Sequence, residues 1–168
     1  MKMRTIAICA IMTALALALS YAENVFALTA FIPIPGIKLG LANIVTLTAL
    51  YTVGVAPALI IAVLRSALAA AFTSGATSFI FSVTGGLLSV GVMYGIKAFG
   101  RERVSLWGVS IAGAAAHNTG QIIAAWVMLG SASVFAYLPL LLVASILTGA
   151  AIAAAAIPVK KMADSMYI

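Results

Sequence analysis

The sequence predicts an all-α membrane protein, a single integral membrane domain over residues 1–168 built as a bundle of six transmembrane helices. Three observations predict it. Hydrophobic residues make up 65% of the chain and charged residues only 7%, against about a quarter charged in soluble domains, so lipid is the natural solvent for this surface. The apolar residues fall into six runs cut by turn residues and charges. The Lys and Arg residues gather at alternate junctions between those runs. This composition excludes a soluble enzyme. The net charge of +6 does not indicate nucleic acid, because the charges sit at a few positions and form no phosphate-binding patch.

The first run covers about residues 5–22. Lys2 and Arg4, an apolar stretch over 6–19 and Ser20-Tyr21-Ala22 imitate a secretory signal, but the segment is read as the first spanning helix. Cys9 is the one cysteine, so no intrachain disulfide or thiolate metal site is expected, and it reads as a small packing residue. Pro33, Pro35 and Gly36 interrupt the way to a second run at about 39–53. That run is short for a span of about 20 residues, which implies tilt or borrowed loop residues. Gly54 and Pro57 turn the chain into a third run at 56–72, and Thr73-Ser74-Gly75 lead into a fourth at 76–96. The polar stretch 100–105 precedes the fifth run, 106–129, and residues 130–133 precede the sixth, 135–157, which Pro158 is expected to end.

With six helices, Lys2 and Arg4, then Lys97, Arg101 and Arg103, then Lys160 and Lys161 all fall on one side. This positive-inside pattern predicts a multi-pass protein of the cell (plasma) membrane with both termini cytoplasmic. Five or seven helices would break the agreement.

Polar groups inside apolar runs are costly, so each raises a functional question. Glu23, Asn24, Lys38, Asn43, Arg65, His117, Asn118 and Gln121 all fall in the outer half by this topology, as expected of a polar cavity open to the outside. His117 and Gln121, four apart, share a helix face with Asn118 beside them, and present an imidazole and two amides. The alternative is hydrogen bonding that simply holds the bundle together. No metal site is expected, since one His without a nearby Cys or Asp offers too few ligands. Arg65 needs a partner, and Glu23 is the one acid in the outer half. If instead Arg65 and Lys38 face the cavity with His117, the site is cationic and suits a phosphate, diphosphate or carboxylate. Lys38 has a second reading, as an interface residue facing lipid headgroups.

Other small-residue features carry two readings each. The glycine-rich stretch 33–40 is a phosphate-holding loop or a turn, and it lacks the Gly-Lys-Ser/Thr of a Walker A loop. Gly85-Gly86 reads as a packing notch. Ala10, Ala14, Ala18 and Ala22, spaced by four, serve packing within the bundle or, on its outside, a docking site for a partner membrane protein.

Two long motifs carry a resemblance. Pro35-Gly36-Ile37-Lys38-Leu39-Gly40-Leu41-Ala42-Asn43-Ile44-Val45 and Gly108-Val109-Ser110-Ile111-Ala112-Gly113-Ala114-Ala115-Ala116-His117-Asn118-Thr119-Gly120-Gln121 resemble the Gx transporter family, widely labelled heptaprenyl diphosphate synthase component I. The similarity extends over nearly the whole chain, including Arg65 and Tyr137-Leu138-Pro139. The architecture in turn resembles the substrate-binding S components of energy-coupling factor (ECF) transporters. That resemblance implies an outward-facing pocket for a small anionic molecule, such as a vitamin, a cofactor or an isoprenoid or quinone precursor. Lys38, Asn43, Arg65, His117, Asn118, Gln121 and Glu23 would form it. It also implies a transmembrane coupling subunit on Ala10, Ala14 and Ala18, and two cytoplasmic ATPases, so that this chain needs no nucleotide motif and no cofactor. The family label implies instead a noncatalytic membrane component of polyprenyl diphosphate synthesis. Chain-elongating prenyl transferases resemble one another in holding magnesium and diphosphate on two Asp-rich motifs, whereas this chain has only Asp164, Glu23 and Glu102, at separate places. A stand-alone enzyme with His117 as general base would have only Glu23 to orient it. A proton-coupled carrier using His117 and Glu23 would need to dimerise.

Overall fold

The computed structural model describes residues 3–25, 38, 40–100 and 103–166, and within them the structure is helical with no strand. Helix α1 is Met3–Val25, α2 Asn43–Thr52, α3 Val55–Ala69, α4 Gly75–Gly100, α5 Leu106–Leu129 and α6 Leu138–Met166. A π-helical turn, Ala70–Ser74, joins α3 to α4, and a 3-10 segment, Ala132–Tyr137, leads into α6. The breaks between helices have local causes. Gly54 adopts a φ of +109° ahead of α3, and Gly130 closes α5 in the left-handed region while its N–H reaches the Trp126 carbonyl. Ser105 caps the start of α5 by accepting from the Gly108 N–H.

Among the described residues four stretches are long and apolar enough to cross a membrane: Thr5–Glu23, Val55–Phe72, Gly75–Gly100 and Ala132–Met162. The chain is therefore membrane-embedded by composition and helix length. The remaining two helices fall short of that measure for different reasons. α2 has 10 residues, a rise of about 15 Å, which is half the hydrocarbon thickness. α5 has 24 residues but carries His117, Asn118 and Gln121 in its middle.

Several expected boundaries move. The second run begins at Asn43, because Gly40 takes a φ of +86° and residues 41–42 form a turn. α6 does not stop before Pro158 but runs through it to Met166. A proline removes one i−4 hydrogen bond, a loss that the adjoining turns of a long membrane helix absorb. Lys2, Pro33, Pro35, Gly36, Arg101 and Glu102 lie outside the described residues, as do the side chains of Arg4, Asn24, Thr73, Ser74 and Asp164.

The core is organised around α2. Its Val45, Leu47, Ala49 and Leu50 are buried with Ala16 of α1, Ile61 of α3, Val90 and Met93 of α4, Val109 of α5 and Ile152 of α6. A second apolar cluster joins Phe81, Ile122 and Leu141 with Val134 of the 3-10 segment. Cys9 is buried as a free thiol. Large side chains such as Ile11, Phe72, Phe99, Val127 and Leu147 point outward, as a lipid-facing surface requires. Small residues bring the helices close. A Cβ on Gly149 of α6 would lie 2.5 Å from the Ile111 Cα of α5, and one on Gly120 of α5 would lie 2.9 Å from the Gly85 Cα of α4.

Candidate functional site

The short α2 positions the site. Asn43, its first residue, hydrogen-bonds Arg65 in the last turns of α3, so the chain just before α2 enters the bundle as non-helical backbone. Backbone polar groups at such a depth must be satisfied by protein. Side chains do this. The Gln121 amide closes a two-way clamp on Lys38: the Lys38 N–H donates to Oε1 at 2.8 Å, and Nε2 donates to the Lys38 carbonyl at 2.7 Å. The Glu23 carboxylate accepts from the Gly40 N–H at 2.8 Å and from the Leu41 N–H at 3.3 Å.

Arg65 and His117 lie beneath this stretch. The Arg65 Nη2 donates to Asn43 Oδ1 at 3.1 Å. A Cβ on Gly86 would lie 3.5 Å from that Nη2. A Cβ on Gly40 would lie 2.8 Å from His117 Cδ2 and 2.9 Å from Asn43 Nδ2. On the other side of the imidazole, a Cβ on Gly85 would lie 2.9 Å from His117 Nδ1 and 2.7 Å from the His117 carbonyl oxygen. The ring thus fits between two glycines, Gly40 on the incoming chain and Gly85 on α4.

The structure brings Glu23, Lys38, Asn43, Arg65, His117 and Gln121 into one cluster from five segments. It does not bring Asn118 there. Asn118 Nδ2 donates to the Leu141 carbonyl at 3.1 Å and to Ser145 Oγ at 2.9 Å, tying α5 to α6. One position along a helix turns a side chain by about 100°, so neighbours on α5 serve different interfaces. The direct Glu23–Arg65 pair, one of the two readings of the sequence, gives way, among the described residues, to two contacts with the same stretch: Glu23 on the Gly40 and Leu41 amides, Arg65 on the Asn43 side chain. The described side chains of the cluster are buried. Lys38 is 6% exposed, Arg65 3%, Glu23 2% and His117 1%. Together they form a buried polar core.

Lys38 and Arg65 set two cations against one carboxylate. Burial holds the Lys38 ammonium below the ordinary lysine value; Glu23 opposes that shift and Arg65 adds to it. Asn43 Nδ2, Arg65 Nε and His117 Nδ1 are buried and have no hydrogen-bond partner among the described residues. Three donor-capable nitrogens beside an excess of positive charge match the chemistry of an anion's oxygens. Among the described residues no group of three or more His, Cys, Asp or Glu could hold a metal ion.

Sequence reasoning missed three of these roles. Gly85 is more than a notch between helices: it makes room for His117. Gly40 does the same from the opposite side, and its positive φ sets the turn into α2. Gln121 holds backbone instead of lining an open pocket. The spacing Lys38-Leu39-Gly40 was the one available signal, since a glycine there frees both the backbone angle and the space above the imidazole.

Ala10, Ala14 and Ala18 lie on the exposed face of α1. Between α1 and α3 they border two shallow cavities of about 520 and 410 Å³, floored by Leu17 with Leu64 and Leu68 in the first and Ala69 and Phe72 in the second.

A search of the curated proteins finds no match, and neither does a search of the solved structures. A family model described as heptaprenyl diphosphate synthase component I matches residues 12–158, a stretch that takes in α2 to α5 whole and every member of the polar cluster. The chain belongs to the heptaprenyl diphosphate synthase component I family.

Proposed function

We propose that this protein is the substrate-binding membrane subunit of an ATP-driven uptake transporter, built like an S component of the ECF type. In this reading all six helices lie in the plasma membrane, α2 only partway across, and both termini are cytoplasmic. The observation that carries it is the buried cluster, in which Lys38 and Arg65 face one carboxylate under a strip of non-helical backbone. An uncompensated buried charge costs several kcal/mol, so a bound anion stabilises the closed state. The ligand is a small molecule carrying a carboxylate, phosphate or diphosphate, such as a vitamin, a cofactor or an isoprenoid or quinone precursor.

The residues divide the work. Lys38 and Arg65 neutralise the anion. Asn43 Nδ2 and His117 Nδ1 supply hydrogen bonds to it. Glu23 and Gln121 hold the backbone at residues 38, 40 and 41 in place. That stretch is fixed by four side-chain-to-backbone bonds, so it can lift without melting a helix. The exposed Ala10, Ala14 and Ala18 offer a close-packing face to a transmembrane coupling subunit, which two cytoplasmic ATPases drive.

Purification from the native membrane in mild detergent, followed by mass spectrometry of bound proteins and small molecules, tests this. Recovery of a coupling subunit with two ATPases is expected, with an anionic metabolite retained by wild type and lost from Arg65→Gln. The family name favours a second reading, a noncatalytic component of a prenyl diphosphate synthase. Recovery of a soluble synthase without ATPases, and a gain in its activity when both chains are present, would replace the transporter reading with that one.

A further inference from the structure

A second cationic cavity lies at the opposite end of the bundle, away from the Glu23 cluster. It holds about 570 Å³, within the range of small-molecule sites. Its polar wall is Lys97, Lys160, Lys161 and Tyr51; its apolar wall is Val104, Leu106 and Ile157. Four helices meet there: the ends of α2, α4 and α6, and the start of α5.

The sequence reading gave these lysines a topological role only. Lysines that merely mark the cytoplasmic side extend into water or snorkel to the interface. Lys97 does neither. Its Nζ donates to the Leu50 carbonyl at 2.8 Å, in the last turn of α2 where carbonyls lack helical partners, and it lies 4.4 Å from the centre of the Tyr51 ring. The ammonium is thereby held at the cavity wall. α6 runs on past Pro158, which carries Lys160 and Lys161 to the same place. The sequence sets two acids in the adjoining segments, Glu102 and Asp164, whose side chains lie outside the described residues.

We propose that this cavity binds the phosphate headgroup of an anionic lipid. The phosphate sits among Lys97, Lys160 and Lys161 with the Tyr51 hydroxyl, and the acyl chains leave past Val104, Leu106 and Ile157 into the bilayer. An anion of purely soluble character would leave that apolar wall without a role, whereas an amphiphile uses both walls. The site is independent of the transporter reading, since it shares no residue with the Glu23 cluster.

Native mass spectrometry of the full chain, released from neutral detergent and titrated with phosphatidylglycerol or phosphatidylcholine of matched chains, tests it. Phosphatidylglycerol is expected to bind at a fixed stoichiometry and at least about tenfold more tightly than phosphatidylcholine. The double variant Lys160→Gln/Lys161→Gln should lose about tenfold or more of that affinity, and Lys160→Arg/Lys161→Arg should keep it. Equal retention of the two lipids, or a Gln variant that binds phosphatidylglycerol like wild type, overturns the proposal. Inorganic pyrophosphate that competes as strongly as the lipid itself overturns the lipid source and leaves a soluble phosphate as the ligand.

Discussion

The two ends of this bundle hold cations in opposite ways. At one end Lys38 and Arg65 are almost fully buried, and the surrounding groups are fixed by named hydrogen bonds. At the other end Lys97 and Lys160 are half-buried and Lys161 is exposed around an open cavity. A buried charge depends on particular partners, so single changes there act on the fold and on any ligand together. A solvated charge costs the fold little, and it acts mainly on what approaches it. The contrast separates a buried site from one open at its rim, and substitutions at each end should behave accordingly.

The largest effect is expected from Glu23→Leu. It removes the acceptor of the Gly40 and Leu41 amides and leaves Lys38 and Arg65 without the neighbouring negative charge. Breaking a buried charge cluster from one side costs about 3–5 kcal/mol. Thermal unfolding in detergent should show a large drop for Glu23→Leu and an unchanged midpoint for Lys161→Gln. Equal midpoints in the two variants would erase the distinction between the ends.

A pair of glycines on α4 gives a smaller effect along one helix. Gly85→Ala places a methyl 2.7 Å from the His117 carbonyl oxygen, a backbone atom with no rotamer to escape into. Overpacking of this kind costs about 1–3 kcal/mol. Gly95, toward the lysine end, meets nothing within 4 Å of an added Cβ. Gly95→Ala should leave stability unchanged or raise it by up to about 1 kcal/mol through helix propensity. The same unfolding assay checks both, and a Gly85→Ala protein as stable as Gly95→Ala would show that α4 and α5 can separate at no cost.

Much of the polar cluster was legible because cost is legible. Glu23, Asn43, Arg65, His117 and Gln121 stand out in apolar runs, and the structure gathers them in one cluster. What they contact was not legible. The sequence left Arg65 either to pair with Glu23 or to face a cavity with Lys38, but the turn at residues 40–42 presents backbone amides that need an acceptor, and the Glu23 carboxylate goes to them. Asn118 looked like a partner of His117 because it is adjacent in sequence, yet helical rotation hands it to Leu141 and Ser145 of α6. Helix ends were readable where a glycine takes a positive φ, as at Gly54 and Gly130, and misread at Pro158, where packing outweighs the missing hydrogen bond. The lysine cavity was invisible because topology alone accounts for the lysines, and only the tertiary placement of Lys97 against Leu50 and Tyr51 distinguishes them.

The smallest expected effect uses pH to sharpen the same comparison. Burial lowers the Lys38 value from the ordinary 10.5, so folding disfavours the protonated amine. Stability should therefore rise with pH between the lowered folded value and 10.5, and stay flat below and above that window, as far as this group is concerned. An anion held by the ammonium responds the other way, because it is released as Lys38 loses its proton through the same window. Retention of a phosphate-bearing ligand should fall by up to about tenfold per unit of pH while the melting midpoint rises. Lys38→Met should remove both trends at once. Melting and ligand retention that move in the same direction with pH would show that Lys38 does not hold the anion, and would leave Arg65 as the sole cation of the cluster to do so.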